Sequence, residues 1–190
     1  MAISANLAGK RIAILATHGF EESELTVPRA QLIAAGAKVD VVSPEAGEIK
    51  GWHMKDWGKS VRVDKELKQA SASDYDTLVL PGGQMNPDTL RVNKDALSFI
   101  GAFVTARKPI GAICHAPWLL IEMQLADGLR TTSYISIKTD MINAGADWVD
   151  EPVVVDRGII TSRNPGDLDA FCSKVAEETL KGQHAQHAAE

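Results

Sequence analysis

The sequence predicts an α/β fold in which an open, mostly parallel β-sheet is covered by helices on both faces. Short apolar segments, typical of strands buried on both faces, alternate along the chain with segments of helical periodicity. Residues 11–43 contain a strand, a helix and a second strand, which is the order of a βαβ unit. A third apolar segment begins at Pro109 and passes through Cys114 into a helix that starts at Pro117, so a sharp turn follows a strand.

The strands are predicted from short runs of apolar and β-branched residues. Residues 45–63 show no helical period and are expected to form short strands near 49–52 and 61–63, with Trp52 and Trp57 as packing anchors. Residues 129–134 are expected to return toward the sheet. The other strands are predicted at 11–16, 38–43, 76–80 and 109–113, with a hairpin at 153–156 and 159–162.

The helices are predicted from apolar residues at spacings of three and four. Pro28 interrupts the first pattern and is expected to kink that helix or to mark its true start. In the last helix Cys172 shares the apolar face with Phe171 and Val175, so it is predicted to be a core residue. Helices are expected at residues 21–36, 94–107, from 117 onward, 137–144 and 168–180.

Composition predicts one globular domain over residues 1–190, with a core at about 10–182 and a flexible tail at 183–190. The net charge of −5 argues against a nucleic-acid-binding surface, and no apolar run approaches the ~20 residues that span a bilayer. No secretory signal is recognised and there are only two cysteines, so a cytoplasmic location is expected. No motif for a metal or an organic cofactor is recognised.

Cys114 is the foremost candidate for a functional residue. A cysteine at a turn between strand and helix matches a nucleophile elbow, which lifts the reactive atom above the carboxyl ends of the strands. The positive end of the following helix would favour its thiolate. The alternative, a buried structural cysteine, stays open on these residues alone.

The loops after the first and third strands are expected to meet the cysteine turn at one edge of the sheet. Gly82 and Gly83 allow backbone amides to approach a ligand, and with the amide of His115 they suit an oxyanion hole. A Gly-Gly pair is, however, more often only a turn. His115 directly follows Cys114, so its side chain need not face the thiol; a carboxylate such as Asp88 would orient the imidazole.

Three glutamates, Glu21, Glu22 and Glu24, open the first helix. They suit a solvated helix start. One of them pointing over the sheet toward Cys114 would have a different role. If protonated, it would donate a hydrogen bond to the thiolate and shuttle protons; if ionised, it would oppose thiolate formation.

Several short segments of the chain occur together in a recognisable order. They are GFEESEL at 19–25, LPGG at 80–83, AICHAP at 112–117, TSY at 132–134, INAG and WVD at 142–150, and VVVD and TSR at 153–163. In this order they resemble the ThiJ/PfpI superfamily, and within it the PfpI branch of intracellular cysteine proteases, general stress proteins and protein deglycases. The resemblance covers about residues 10–180.

The resemblance implies a flavodoxin-like, three-layer α/β sandwich with Cys114 as the nucleophile. It implies that Glu24 is the elbow-facing glutamate that hydrogen-bonds the cysteine, and that His115 is the histidine of the Cys-His pair. Gly83 matches the glycine whose amide helps to form the oxyanion hole. Asp88 is the best match to an acidic residue that a neighbouring subunit contributes to a triad, which implies a homodimer or a larger homo-oligomer.

Further residues are expected to bind substrate or to line the pocket: Glu21, His18, Tyr134 and Trp118. The chain departs from the usual family pattern at His18, Ala116 and Trp118, and the last two lie just after the Cys-His pair in the sequence. Such changes are expected to reshape the pocket rather than to remove the role of Cys114.

The expected activity is that of a stress-protective thiol enzyme that acts on a small reactive aldehyde or on glycated protein, without metal or cofactor. Cys114 would attack the aldehyde of a 2-oxoaldehyde such as methylglyoxal, or an early glycation adduct of Cys, Lys or Arg. One alternative is peptide hydrolysis by a Cys114-His115-Asp88 triad. Another is a redox-sensing stress protein or chaperone in which Cys114, rather than Cys172, is oxidised. A glutamine amidotransferase is disfavoured, because no histidine occurs between His115 and the tail.

Overall fold

The computed structural model describes residues 3–183, so most of the tail predicted at 183–190 lies outside the described residues. The strands are β1 (Arg11–Leu15), β2 (Lys38–Ser43), β3 (Glu48–His53), β4 (Asp56–Arg62), β5 (Lys65–Glu66), β6 (Thr77–Leu80), β7 (Ile110–Ile113), β8 (Arg130–Thr131), β9 (Asp147–Trp148), β10 (Val153–Asp156) and β11 (Ile159–Ser162). The helices are α1 (Glu22–Ala34), α2 (Met85–Leu90), α3 (Lys94–Thr105), α4 (Pro117–Glu122), α5 (Lys138–Asn143) and α6 (Leu168–Lys181).

Seven of the described strands form a central sheet in the order β10-β11-β7-β6-β1-β2-β5. All pairs in this sheet are parallel except the hairpin of β10 and β11. The order runs outward in both directions from the adjacent strands β1 and β6, so the carboxyl ends of β1, β6 and β7 lie side by side at one edge. This edge is where the sequence predicted the functional loops to meet.

The side chains of β1 show how the sheet is buried on both faces. Ile12 and Ile14 pack into the core that contains Leu25 and Leu32 of α1 and Phe171 of α6. Ala13 and Leu15 alternate with them and pack into a second core, formed with Phe99 and Phe103 of α3 and Leu119 and Leu120 of α4. Such alternation follows from the two-residue period of a strand. The arrangement of helix, sheet and helix layers confirms the predicted flavodoxin-like α/β sandwich.

Two local predictions differ from the structure. Helix α1 begins at Glu22 and continues through Pro28, which is buried, so the helix does not start at that proline. The loop predicted after the third strand, residues 81–88, contains the first residues of the short helix α2. Residues 129–134 do return toward the central sheet, since the Thr132 amide donates to Thr161 Oγ1 of β11 at 2.9 Å, although residues 130–131 pair with β9 in a separate two-stranded sheet. Tertiary packing overrides the weak local preferences of these segments.

The segment predicted as short strands or a hairpin folds as β3 and β4, which pair antiparallel. Trp52 and Trp57 face each other across this hairpin with ring centroids 5.7 Å apart and nearly perpendicular rings. The backbone of Trp52 also forms an isolated parallel bridge with Glu21, just before α1. The hairpin is thereby joined to the edge of the sheet where the site lies. Within residues 3–183, no helix is long and apolar enough to cross a membrane.

Candidate active site

Cys114 occupies the turn between β7 and α4 in a strained backbone conformation. Its φ is +65°, which is uncommon for a residue with a side chain. Two backbone hydrogen bonds hold it there: its amide donates to Ser162 O at 3.0 Å, and its carbonyl accepts from the Tyr134 amide at 2.8 Å. A strained strand-to-helix turn that carries the reactive residue is the geometry of a nucleophile elbow.

His115 faces the thiol although the two residues are sequence neighbours. Its Nδ1 lies 3.1 Å from Cys114 Sγ, and its Nε2 lies 3.1 Å from Ser136 Oγ. Burial lowers the pKa of His115 below its usual range, so the imidazole is neutral at pH 7. A neutral ring that donates from Nε2 to Ser136 leaves Nδ1 free to accept the thiol proton. Ser136 therefore occupies, within one chain, the orienting role that the sequence assigned to a carboxylate.

The imidazole of His115 lies between two aromatic rings. Tyr134 stacks on it with ring centroids 4.7 Å apart, and Trp118 approaches edge-on at 5.4 Å. Trp118 is itself held by a hydrogen bond from its Nε1 to Asp140 at 2.8 Å. These contacts restrict rotation of the imidazole and keep Nδ1 directed at the sulfur.

Glu24 approaches Cys114 from the first turn of α1 and is fully buried. Its Oε2 accepts a hydrogen bond from the Gly82 amide at 2.9 Å. Burial, with a smaller effect from the Glu21 carboxylate, raises the pKa of Glu24 to about 8, so this carboxyl is mostly protonated at neutral pH. Its Oε1 has no oxygen or nitrogen partner within the described residues, and the Cys114 thiol is the group with which the carboxyl interacts. A protonated Oε1 is thus poised to donate to the sulfur.

The Cys114 thiol is less acidic than the sequence predicts. Burial first, and the neighbouring Glu24 second, raise its pKa, while the amides of Gly83 and His115 act in the opposite direction. Cys114 is only 5% exposed, so burial opposes the thiolate that the positive end of the following helix would favour. Forming the thiolate therefore requires a base, and His115 is in place to supply it. Burial disfavours the low-pKa, accessible thiol that the redox-sensor hypothesis requires, and that hypothesis stays a prediction.

The two glycines after β6 are required by close packing. A Cβ on Gly82 would lie 2.7 Å from both Cys114 Cβ and Glu24 Oε2. Gly83 has a φ of +78°, and a Cβ there would collide with the backbone of Gly19 and Glu21. The Gly82 amide is taken by Glu24, so the amides of Gly83 and His115, both of which contact the thiol, are the donors left for an oxyanion.

A cavity of about 470 Å³ opens above the Cys-His pair. Four lining residues were not predicted: Trp52, which was interpreted as a packing anchor, and Gln84, Ser136 and Pro165. The full lining comprises Glu21, Glu24, Trp52, Gly83, Gln84, Cys114, His115, Tyr134, Ser136 and Pro165. Ser136 follows the TSY segment by two residues, which is the one local signal that pointed to it.

Three predicted site residues do not line this cavity. Trp118 acts on the site through its contact with His115. His18 accepts a hydrogen bond from the Lys50 amide at 3.0 Å and so ties the loop after β1 to β3. Asp88 is exposed on α2. Its predicted role depends on a second copy of the chain, so it stays a prediction.

Residues 10–178 match the family model described as the DJ-1/PfpI family. The chain belongs to the DJ-1/PfpI family. This match covers the elbow, both glycine positions and the glutamate of α1, so the family assignment and the geometry refer to the same residues.

Curated members of the DJ-1/PfpI family resemble this chain over most of their own length. A protein of Bacillus subtilis named putative cysteine protease YraA is 45% identical over 85% of this chain and 94% of its own. Deglycase PfpI of Pyrococcus furiosus is 41% identical over 85% of this chain and 94% of its own. Protein/nucleic acid deglycase 2 of Escherichia coli is 41% identical over 85% of this chain and 93% of its own.

Solved structures of the DJ-1/PfpI family superpose well on this chain. DJ-1beta of Drosophila melanogaster has a TM-score of 0.81 at 32% identity and covers 90% of both chains. A two-domain protein of Anabaena variabilis with DJ-1/ThiJ/PfpI-like and ferritin-like domains has a TM-score of 0.83 at 38% identity. That match covers 88% of this chain and 47% of the larger protein.

Proposed function

We propose that this protein is a cysteine-dependent enzyme that removes reactive aldehydes, converting 2-oxoaldehydes or their early adducts on proteins into hydroxy acids. One observation carries the proposal: Sγ of Cys114 lies 3.1 Å from a neutral His115 Nδ1. The buried carboxyl of Glu24 interacts with the same thiol. The names of relatives support the substrate class, since several DJ-1/PfpI members are named deglycases.

The first step is nucleophilic addition to the aldehyde carbon. His115 Nδ1 accepts the thiol proton as Sγ forms a bond to the aldehyde carbon of methylglyoxal, which gives a hemithioacetal. The developing oxyanion is stabilised by the amides of Gly83 and His115. With a glycated amine, Sγ instead displaces the amine from the hemiaminal carbon, and the released amine takes a proton.

The second step moves one proton between adjacent carbons. A base removes the proton from the hemithioacetal carbon to form an enediol, and reprotonation at the former ketone carbon gives a thioester of lactate. The first carbon is oxidised and the second reduced, so no external oxidant is needed. Glu24 and His115 are the two groups beside the sulfur that can carry this proton. Water then cleaves the thioester, which releases lactate and restores the thiol.

The experiment is to incubate the purified protein with methylglyoxal and to assay lactate. We expect turnover by the wild type, its loss in Cys114→Ala, and strong reduction in Glu24→Gln. Cys172→Ala is the matched control, because Cys172 is a fully buried residue on the core face of α6 and does not line the cavity. Lactate formation that survives Cys114→Ala would refute the mechanism.

Peptide hydrolysis is the second candidate, because a thiol within hydrogen-bonding distance of an imidazole is also the core of a cysteine peptidase. This candidate predicts that Asp88 of another copy reaches the site and that a homo-oligomer is the active form. Light scattering gives the oligomeric state, and cleavage of an unfolded protein by wild type but not by Asp88→Asn would support the triad. Equal cleavage by a monomeric variant would argue against it.

A further inference from the structure

The cavity above Cys114 combines one charged wall with two aromatic walls. Glu21 supplies a carboxylate, and the aromatic residues Trp52 and Tyr134 line the same space. Among the lining residues that the structure describes there is no lysine or arginine. Glu24 and His115 are both mostly neutral at pH 7, because burial raises the pKa of the former to about 8 and lowers that of the latter. Glu21 therefore determines the charge of the lining.

Glu21 is held firmly in this position. Its backbone pairs with Trp52 in an isolated bridge, and its amide donates to Gly82 O at 3.3 Å. Its Oε1 accepts a hydrogen bond from Ser23 Oγ at 3.1 Å. Glu21 and Trp52 are thus paired through the backbone and line the same cavity, so a ligand that contacts one of these residues lies close to the other.

A carboxylate beside aromatic rings suits a planar cation. A guanidinium group pairs with a carboxylate through parallel N–H bonds and stacks on aromatic faces, and it keeps its charge at any physiological pH. An ammonium group pairs less specifically, and a neutral aldehyde or thiol adduct gains neither interaction. A partly enclosed site strengthens these attractions, because less water screens them.

We propose that Glu21 makes this cavity selective for guanidino compounds, so that a 2-oxoaldehyde adduct on an arginine side chain is preferred over free methylglyoxal or a thiol adduct. The proposal rests on the proposed function for the reaction that follows binding, but the recognition of a guanidinium group is measurable without turnover. Glu21 acts here as a specificity-determining residue and not as a catalytic one, because Sγ of Cys114 forms the bond to the substrate.

The binding test compares two nearly isosteric ligands that differ in charge. Nα-acetylarginine amide carries the guanidinium group, and Nα-acetylcitrulline amide replaces it with a neutral urea. We expect the arginine compound to bind wild type at least ~10-fold more tightly in a nuclear magnetic resonance titration, with shifts at cavity residues. Glu21→Gln should remove this preference. Glu22→Gln is the matched control, because Glu22 does not line the cavity and its Oε2 accepts from the Lys59 amide.

The turnover test uses methylglyoxal in three forms: free, as the adduct of Nα-acetylarginine amide, and as the adduct of N-acetylcysteine. We expect Glu21→Gln to raise KM for the arginine adduct about 10-fold while KM for the other two stays within about twofold. Glu21 also influences Glu24, which serves every substrate, so a change in kcat should be common to all three. The ratio of kcat/KM values between substrates is therefore the readout. Added salt should weaken the preference in wild type and not in Glu21→Gln.

The outcomes separate this proposal from the proposed function. Equal binding of the arginine and citrulline compounds to wild type, no detectable binding of either, or a preference that persists in Glu21→Gln would overturn the charge selection, whatever the turnover shows. Arginine-selective binding without lactate from any substrate would support guanidino recognition and refute the proposed reaction.

Discussion

Sγ of Cys114 lies 3.1 Å from Nδ1 of His115, although the two residues are adjacent in sequence and neighbouring side chains commonly diverge. The positive φ of Cys114 turns its side chain back toward the imidazole, and the contacts of Ser136, Tyr134 and Trp118 hold the ring in place. Because the thiol pKa is raised by burial, this pair, rather than a preformed thiolate, is the chemical centre of the site.

Alkylation by iodoacetamide should follow the pH dependence of a thiol with a raised pKa. We expect the rate at Cys114 to rise steadily between pH 6 and pH 8 without a plateau, because the thiolate fraction stays small over this range. Cys172, which is fully buried in the core, should react only when the protein unfolds. Mass spectrometry of the labelled peptides gives both rates. A plateau already at pH 6 would indicate a stable thiolate and would support the redox-sensor hypothesis.

Turnover should decline on the alkaline side with a midpoint near the Glu24 pKa of about 8. Below this pH the carboxyl is protonated and can donate to the sulfur; above it, a second negative charge opposes the thiolate. Glu24→Gln should reduce kcat about 100-fold or more, since it cannot transfer a proton. Its residual activity should lack this alkaline decline. The measurement is lactate formation against pH for both proteins, and an unchanged decline in the variant would assign it to another group.

Glu24→Gln should stabilise the fold at neutral and alkaline pH. The folded-state pKa of Glu24, about 8, exceeds the ordinary value of 4.5, so the folded state retains a proton that the unfolded chain releases. The resulting stability is complete below pH 4.5 and is lost as the pH rises to about 8. The neutral amide avoids this loss, which is on the order of 4 kcal/mol. Urea unfolding at pH 4 and pH 8 measures it, and a difference between wild type and variant that does not grow with pH would contradict the burial argument.

Ser136→Ala should weaken the reaction without changing the fold. Loss of the hydroxyl removes the partner of His115 Nε2, so the imidazole is a poorer and less well oriented base, and we expect kcat to fall about 10-fold with KM little changed. Ser136→Thr keeps a hydroxyl at this position and should retain most of the activity. If both variants lose activity equally, the size of the side chain rather than its hydrogen bond is responsible.

Gly82→Ala and Gly101→Ala should have opposite effects on the stability of the fold. At Gly82 an added Cβ meets Cys114 Cβ and Glu24 Oε2 at 2.7 Å, so we expect a loss of about 1–3 kcal/mol in stability and of most activity. At Gly101, inside α3, the nearest atom is the flexible Met123 Cε at 3.2 Å, so helix propensity should dominate and add up to about 1 kcal/mol. Thermal unfolding of both variants checks this, and a stable, active Gly82→Ala would refute the close packing.

Much of the site was predictable because its residues lie at the ends of strongly patterned strands. Strand β2 and the two strands of the last hairpin were predicted with their observed bounds. Cys114 and Gly83 come just after strands that end at one edge of the sheet, and Glu24 lies in the first turn of the helix that begins at the same edge. Trp52 and Ser136 were not predicted, because each reaches the cavity from an element whose position depends on tertiary packing. The β3–β4 hairpin lies outside the central sheet, and Ser136 lies in a short 3₁₀ turn.

The sequence by itself determined the layered α/β fold, the elbow cysteine and the glutamate opposite it, because hydrophobic periodicity, glycine positions and the order of motifs are local properties of the chain. Only the tertiary structure decided the protonation states. Whether a carboxyl such as Glu24 or a thiol such as Cys114 carries charge depends on how completely the folded protein excludes water from it. The same burial of Glu24 and His115 leaves Glu21 as the residue that determines the charge of the cavity lining, and this follows only from the folded structure.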